Sequence, residues 1–100
     1  MVIVCGTFTV DADKREAFLA GRIDSMRTSR AEPGCQEYTF CADPIDPERV
    51  VLIERWASQQ DLDAHLVAAR ARTASSGTAV APRSVSIVIY DVAGERPLGR

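Results

Sequence analysis

The sequence predicts an α+β fold in which a four-stranded antiparallel sheet carries two helices on one face. Short apolar segments rich in β-branched residues alternate with two amphipathic segments in the order β-α-β-β-α-β. The middle two strand segments are joined by a loop that contains Pro44 and Pro47, as is typical of a hairpin. The simplest compact arrangement places the first and third strands in the centre of the sheet and the second and fourth at its edges.

The composition is that of one small globular domain. The chain has 100 residues, of which 46% are hydrophobic and 26% charged, and we predict a single domain over residues 1–92 with a tail over residues 93–100. The net charge of −2 provides no basic surface for nucleic acid or a membrane. No apolar run reaches the roughly 18 residues of a membrane helix, and the N-terminus lacks the features of a signal peptide. We therefore expect a cytoplasmic protein.

The first strand and first helix are predicted from the N-terminal third of the chain. Val2–Val10 alternates apolar side chains on one face of a strand. Asp11 or Asp13 opens the helix, and Glu16 follows Asp13 at capping-box spacing. The helix should end before Pro33-Gly34, a strong breaker pair. Its apolar stripe consists of Phe18, Leu19, Ile23 and Met26.

The remaining elements follow from similar signals. Cys35–Ala42 is the second strand, and the third follows the proline loop as a buried apolar run ending near Trp56. Ser58 is placed to cap the second helix through its hydroxyl. Thr73–Pro82 is small and polar, which predicts a mobile loop with or without a helical remnant, and Ser84–Val92 is the fourth strand. The apolar face of the second helix includes Leu62, His65, Leu66 and Ala69.

The apolar pattern of the strands predicts an assembly. Strands one, three and four carry apolar side chains on both faces, whereas a sheet with one face in water alternates apolar and polar residues. Two helices cover only one face. A homodimer that packs sheet against sheet would cover the other. The segments concerned are Val2–Val4, Val50–Ile53 and Ile87–Ile89.

The three cysteines predict neither a disulfide framework nor a zinc site. Cys5, Cys35 and Cys41 are odd in number and lack CxxC spacing. Cys35 and Cys41 would lie about 20 Å apart on one strand, too far for a disulfide. We expect three unpaired thiols that are buried rather than reactive.

Several side chains are candidates for function, each with a structural alternative. His65, the single histidine, is either a base for an acidic hydroxyl or a half-buried residue bonded to a backbone carbonyl. Trp56 either walls a flat aromatic ligand or fills the core at the end of its strand. Glu54 lies in a buried strand and needs a partner, for which we expect an arginine. Tyr38 offers its hydroxyl to a pocket or to water.

Other chemistries lack a sequence signature. The chain contains no glycine-rich phosphate loop, no GxSxG elbow and no HExxH motif. A single histidine excludes a multi-histidine metal site within one chain, and flavin and nicotinamide motifs are absent. The sequence therefore predicts no metal and no cofactor.

An ordered set of short motifs resembles the antibiotic biosynthesis monooxygenase (ABM) family. The resemblance implies a ferredoxin-like protomer, sheet-to-sheet dimerisation into a dimeric α+β barrel, and a pocket between the sheet and the helices. The motifs are Glu32-Pro33-Gly34-Cys35 followed by Tyr38, then Asp46-Pro47, Glu54-x-Trp56 and His65.

The resemblance also implies an activity, the cofactor-independent oxygenation of a quinol or polyphenol by O₂. In that activity His65 would take the phenolic proton and Trp56 would stack on the ring. Candidate pocket residues are Tyr38, Leu52, Leu62 and Phe18. The alternatives are a non-catalytic dimeric module that binds a small molecule and an isomerase on the same barrel.

Two departures from the family pattern bear on that activity. The family's phenol oxygenases carry an amide four residues before the tryptophan, where this chain has Leu52. Its haem degraders carry an asparagine early in the first strand, and this chain contains no asparagine. Haem degradation is therefore disfavoured.

Overall fold

A computed structural model describes residues 1–75 and 80–99 of the chain. The strands are β1 (Val2–Thr9), β2 (Cys35–Ala42), β3 (Arg49–Trp56) and β4 (Ser84–Asp91), and the helices are α1 (Arg15–Ala20), α2 (Ile23–Arg30) and α3 (Gln59–Ser75). The strands form one antiparallel sheet in the order β2-β3-β1-β4. The predicted α+β architecture and strand order are confirmed.

The core lies between the helices and one face of the two central strands. Val2, Val4 and Phe8 of β1 are buried there, and the register pairs Val2 with Trp56 and Phe8 with Val50 on β3. Because side chains alternate along a strand, every second residue of each strand reaches this face. Phe18 of α1 and Leu62 of α3 close the core from the helical side.

The first predicted helix is interrupted, which the sequence did not indicate. A 3-10 turn over Ala12–Lys14 precedes α1, and the chain turns again at Gly21 and Arg22 before α2 begins. Glycine weakens a helix interior, and the amide of Arg22 bonds the Leu19 carbonyl at 3.0 Å, three residues back. The predicted capping box of Asp13 and Glu16 was wrong, because Asp13 lies inside the 3-10 turn and Lys14 precedes α1 without a side-chain cap.

The start of α3 agrees with the sequence. The Ser58 hydroxyl accepts the backbone N–H of Asp61 at 3.1 Å and donates to the Asp61 carboxylate at 3.0 Å. This cap satisfies an amide that the helix itself leaves without a partner. The helix continues to Ser75, into the segment predicted to be a loop, and residues 76–79 of that loop lie outside the described residues.

Strand β4 is exposed on both of its faces. Ile87 pairs with Gly6 on the helical side of the sheet and is 52% exposed, while Val88 pairs with Cys5 on the opposite side and is 45% exposed. A covered helical side was expected for this strand, and in the described protomer it is not covered. None of the helices among residues 1–75 and 80–99 is long and apolar enough to cross a membrane.

The cysteines are unpaired, as predicted, but they are less buried than expected. Cys5 and Cys41 are exposed and Cys35 is partly buried. The prediction of burial was wrong for Cys5 and Cys41 because both lie on the side of the sheet that the helices do not cover.

Candidate functional site

Two turns bring the functional side chains together at one end of the sheet. Gly34 adopts a left-handed backbone (φ 79°), which glycine reaches without a steric penalty, and its carbonyl accepts the amide of Ala57 at 2.8 Å. A Cβ on Gly34 would overlap the Asp61 carboxylate in the first turn of α3. The segment before β2 therefore lies directly against the start of α3. Glu32, in that segment, thereby comes within reach of His65.

The imidazole of His65 lies between two carboxylates. Its Nδ1 atom is 2.7 Å from Oε1 of Glu32, and its Nε2 atom is 3.9 Å from Oε1 of Glu54. The first distance is a hydrogen bond and the second is too long to be one. The His65 side chain is 3% exposed. The partner of this histidine is a side-chain carboxylate, not the backbone carbonyl that the structural alternative supposed.

Glu54 is a buried acid bonded to an indole. The Nε1–H of Trp56 donates to Oε1 of Glu54 at 2.9 Å, and the Glu54 side chain is 7% exposed. Burial raises the pKa of the Glu54 carboxyl, while the bond from Trp56 and the nearby His65 oppose that shift. The expectation of an arginine partner was wrong. A neighbouring residue on the same face of β3 provides the bond instead.

Two aromatic rings enclose the imidazole. The ring centroid of Trp56 is 4.7 Å from that of His65, with the planes inclined by 33°, and the centroid of Tyr38 is 5.2 Å away. Both distances are those of packed aromatic pairs. Burial, and secondarily the Glu54 charge, raises the pKa of the Tyr38 hydroxyl. We call Glu32, Tyr38, Glu54, Trp56 and His65 the His65 cluster.

The other predicted site residues lie in the core beside this cluster. Phe18 and Leu62 are each 1% exposed, and Leu52 is 3% exposed. The Phe18 ring packs against Phe8 and Phe40 with centroids 5.7 and 6.3 Å away. All three side chains belong to the hydrophobic core, and their role toward a substrate stays a prediction.

An open cavity of about 250 Å³ borders the cluster at the edge of β2. Tyr38 is the member of the His65 cluster that lines it. At its rim the guanidinium of Arg30 donates to the Tyr38 carbonyl at 2.9 Å and to the Thr39 hydroxyl at 3.1 Å. The other lining residues are Cys35, Gln36 and Glu37. Tyr38 is thus the residue shared by the cavity lining and the His65 cluster, since its ring also packs against His65.

Metal ligands do not cluster in the part of the chain that the structure describes: it contains no group of three or more His, Cys, Asp or Glu side chains suited to a metal ion. The His65 cluster combines one imidazole with two carboxylates beside two aromatic rings. These ionisable groups can accept and hold a proton.

Sequence reasoning missed the role of Glu32. Glu32 was considered only as the first residue of the Glu32-Pro33-Gly34-Cys35 motif. A glutamate directly before a Pro-Gly turn lies beyond the end of the helix, so its side chain can bond a residue that is distant in the chain. Sequence reasoning also gave no role to Arg22. The Arg22 guanidinium lies 4.4 Å from the centroid of the Phe18 ring, and burial lowers its pKa.

This combination defines a class: small ferredoxin-like α+β proteins with a Trp–His pair buried between sheet and helices. The profile of the family described as antibiotic biosynthesis monooxygenase matches residues 1–75, so the chain belongs to that family. The predicted resemblance is confirmed.

Similar proteins agree with this assignment at the level of fold. A solved structure from Deinococcus radiodurans, assigned to the antibiotic biosynthesis monooxygenases, superposes with a TM-score of 0.80 at 20% identity and full coverage of both chains. The haem degrader MhuD of Mycobacterium tuberculosis, solved with two haems in its active site, superposes with a TM-score of 0.79 at 15% identity, covering 97% of this chain and 100% of MhuD.

A curated relative is closer in sequence. An uncharacterised protein of Synechocystis sp. is 34% identical over 64 residues, which cover 64% of this chain and 44% of that protein. The match thus spans less than half the length of that relative.

Proposed function

We propose that the protein is a cofactor-independent monooxygenase that acts on a quinol or a polyphenolic aromatic molecule. The observation that carries the proposal is the buried imidazole of His65, bonded to Glu32 at 2.7 Å and packed against the Trp56 ring at 4.7 Å. A base beside a flat aromatic surface suits an acidic phenol. Membership of the monooxygenase family supports the same chemistry.

The substrate can supply the electrons, so the protein need not. A hydroquinone and O₂ together contain the atoms of a hydroxyquinone and one molecule of water. One oxygen atom enters the ring and the other leaves as water, and the four electrons required come from the substrate. Loss of the phenolic proton makes the ring a stronger electron donor. The tasks left for the protein are binding, deprotonation and exclusion of water.

We infer which residues perform these tasks from their burial and contacts. His65 accepts the phenolic proton, and Trp56 presents a ring on which the substrate stacks. Both are buried in the protomer, with 3% and 0% of their surfaces exposed. The Tyr38 ring packs against His65 with centroids 5.2 Å apart, so we propose that rotation of this ring opens the route to the base. The substrate would then be enclosed by Leu52, Leu62 and Phe18.

An oxygen electrode tests the proposal directly. Hydroquinone and naphthohydroquinone are added to the protein, and we expect O₂ uptake above the uncatalysed rate with one O₂ consumed per hydroxyquinone formed. Mass spectrometry after reaction under ¹⁸O₂ should find one labelled atom in the product. Product without O₂ uptake would indicate an isomerase instead, and uptake that yields hydrogen peroxide without a labelled product would contradict monooxygenation.

A second candidate is a non-catalytic dimeric module that binds a small aromatic molecule. The burial of both His65 and Trp56 favours it, since a protein that only binds has no need to expose a base. Calorimetry with the oxidised quinone separates the two candidates. Tight binding combined with the absence of O₂ uptake from every quinol would support the module.

Haem degradation is not proposed. The chain contains no asparagine, the residue that the family's haem degraders carry early in the first strand. The likeness to MhuD extends to the fold, and its haems are a property of that protein.

A further inference from the structure

We propose that Glu32 is a positioning residue for His65, which holds the imidazole in the tautomer with hydrogen on Nδ1 and leaves Nε2 as the basic atom. The inference rests on the proposed function for its catalytic meaning, but its structural content can be measured without a substrate. The sequence assigned a base to His65 without saying which nitrogen acts or what orients the ring.

The contact distances distinguish the two ring nitrogens. Glu32 Oε1 lies 2.7 Å from Nδ1, the range of a strong hydrogen bond to a carboxylate. A carboxylate accepts hydrogen bonds, so Nδ1 carries the hydrogen at this contact and Nε2 carries the lone pair. Glu54 does not compete for the ring, because its Oε1 lies 3.9 Å from Nε2 and accepts the Trp56 indole N–H at 2.9 Å.

The same contact compensates the charge that forms on the ring. When the phenolic O–H bond breaks and an Nε2–H bond forms, the ring becomes an imidazolium. The Glu32 carboxylate then faces a positive charge at hydrogen-bond distance, in a region where burial weakens solvent screening. Other ionisable groups also face the cluster: the Glu54 carboxyl on β3, and the Cys35 thiol and Tyr38 hydroxyl on β2, the last influenced by Arg72 of α3. Glu32 is the carboxylate at hydrogen-bond distance from the ring.

The backbone around Glu32 is built to hold this position. The amide of Glu32 donates to the Ser29 carbonyl at 3.0 Å, and the carbonyl of Glu32 accepts the amide of Cys35 at 3.2 Å. Both bonds belong to the turn that Gly34 completes with its left-handed backbone. The Glu32 side chain is 18% exposed, so its carboxylate is largely held by protein rather than by solvent.

Nitrogen-15 NMR on the full chain tests the tautomer. The chain has one histidine, so labelling that residue type yields one pair of ring nitrogens and no assignment problem. At a pH where the ring is neutral, we expect a protonated Nδ1 and an unprotonated Nε2. Glu32→Ala removes the acceptor, and the hydrogen should redistribute between the two nitrogens. Glu37→Ala removes a carboxylate of β2 that contacts Thr39 and should leave the spectrum of the ring unchanged.

Three results would overturn the inference. One is a wild-type ring with hydrogen on Nε2, which requires no variant and therefore does not depend on whether Glu32→Ala folds. The second is a folded Glu32→Ala protein with an unchanged tautomer. The third is a Glu37→Ala protein that shifts the tautomer as much as Glu32→Ala does.

Kinetics connect the tautomer with the proposed reaction. We expect Glu32→Ala to lower kcat for quinol oxygenation about 10²-fold, with a smaller change in KM. The reason is that His65 takes the proton in the transition state, so a displaced ring slows this step more than it weakens substrate binding. A Glu32→Ala protein with altered tautomer and wild-type kcat would contradict the positioning role. A wild-type protein without any quinol activity would contradict the proposed function alone and leave the NMR result standing.

Discussion

His65 Nδ1 lies 2.7 Å from Glu32 Oε1, although the two residues are 33 positions apart in the chain. One belongs to a helix and the other to the turn before a strand. The hydrogen bond therefore joins two elements that pack on the same end of the sheet, and it contributes both to the stability of the fold and to the chemistry proposed for the ring. The predictions below separate those contributions.

Replacement of His65 separates catalysis from stability. His65→Ala should lower oxygen uptake by about 10²-fold or more, the usual effect of losing a general base. It should also lower the free energy of unfolding by about 1–3 kcal/mol, through the lost bond to Glu32 and the vacated ring volume. Leu66→Ala, one residue further along α3 and 37% exposed, is the control for both measurements. A destabilised His65→Ala protein with wild-type turnover would exclude the catalytic role.

Gly34 should resist substitution. Gly34→Ala places a side chain at a left-handed backbone position and against the Asp61 carboxylate, so the free energy of unfolding should fall by about 1–3 kcal/mol. Gly94→Ala is the matched control, because a Cβ there has no heavy atom within 4 Å. Urea unfolding of both variants provides the comparison. Equal stability of the two would show that the turn before β2 does not need glycine.

Glu54 should make stability depend on pH. Burial raises the pKa of its carboxyl above the ordinary value of 4.5, so between that value and the raised pKa the folded protein keeps a proton that the unfolded chain has lost. The contribution of Glu54 to stability is therefore complete below the ordinary pKa and is lost as pH rises through the folded pKa. Glu54→Gln cannot ionise and still accepts a bond from Trp56.

The test is the difference in unfolding free energy between Glu54→Gln and wild type. The variant should gain relative to wild type as pH rises from acid to neutral values. Glu16→Gln, at an exposed position of α1, should show no such trend. A difference that is constant with pH would mean that the folded Glu54 titrates like the unfolded one.

Strand β4 provides a test of assembly. Its side chains are exposed on both faces, and we expect a homodimer through the sheet to cover the open side that carries Val88 and Tyr90. Light scattering at micromolar concentration should find the mass of a dimer for wild type and a monomer for Val88→Asp, because the carboxylate would be buried without a partner. Val67→Asp, at an exposed site of α3, should remain dimeric. A monomeric wild-type protein would contradict the predicted homodimer.

The thiols report on the same surface. Cys5 pairs with Val88 and Ile53 on the open side of the sheet and is exposed in the protomer. Alkylation of the native protein should therefore be slow at Cys5 in a dimer and fast in Val88→Asp. After denaturation without a reductant, all three cysteines should be labelled. Fewer than three labels would reveal a disulfide, and equal native rates in both proteins would argue against a covered sheet.

The amino-acid sequence was sufficient to predict the strands, the order of the elements and the cap of α3. These features depend on neighbouring residues: a β-branched run, a proline loop or a serine three residues before an aspartate acts locally. The resemblance to the family motifs also indicated Trp56 and His65 as candidate site residues. The break at Gly21 and Arg22 was not foreseen, because a single glycine weakens a helix without necessarily ending it.

Contacts between groups that are distant in the chain could not be predicted in the same way, because they depend on the three-dimensional packing. Whether Glu54 bonds an arginine or the Trp56 indole, and whether His65 bonds a carbonyl or Glu32, depends on how distant segments close around the core. A hydrogen bond requires its atoms to approach within a few tenths of an ångström, whereas periodicity places a side chain only on a face. The left-handed turn at Gly34 sets that approach, and it brings a glutamate from the turn before β2 against the one histidine of the chain.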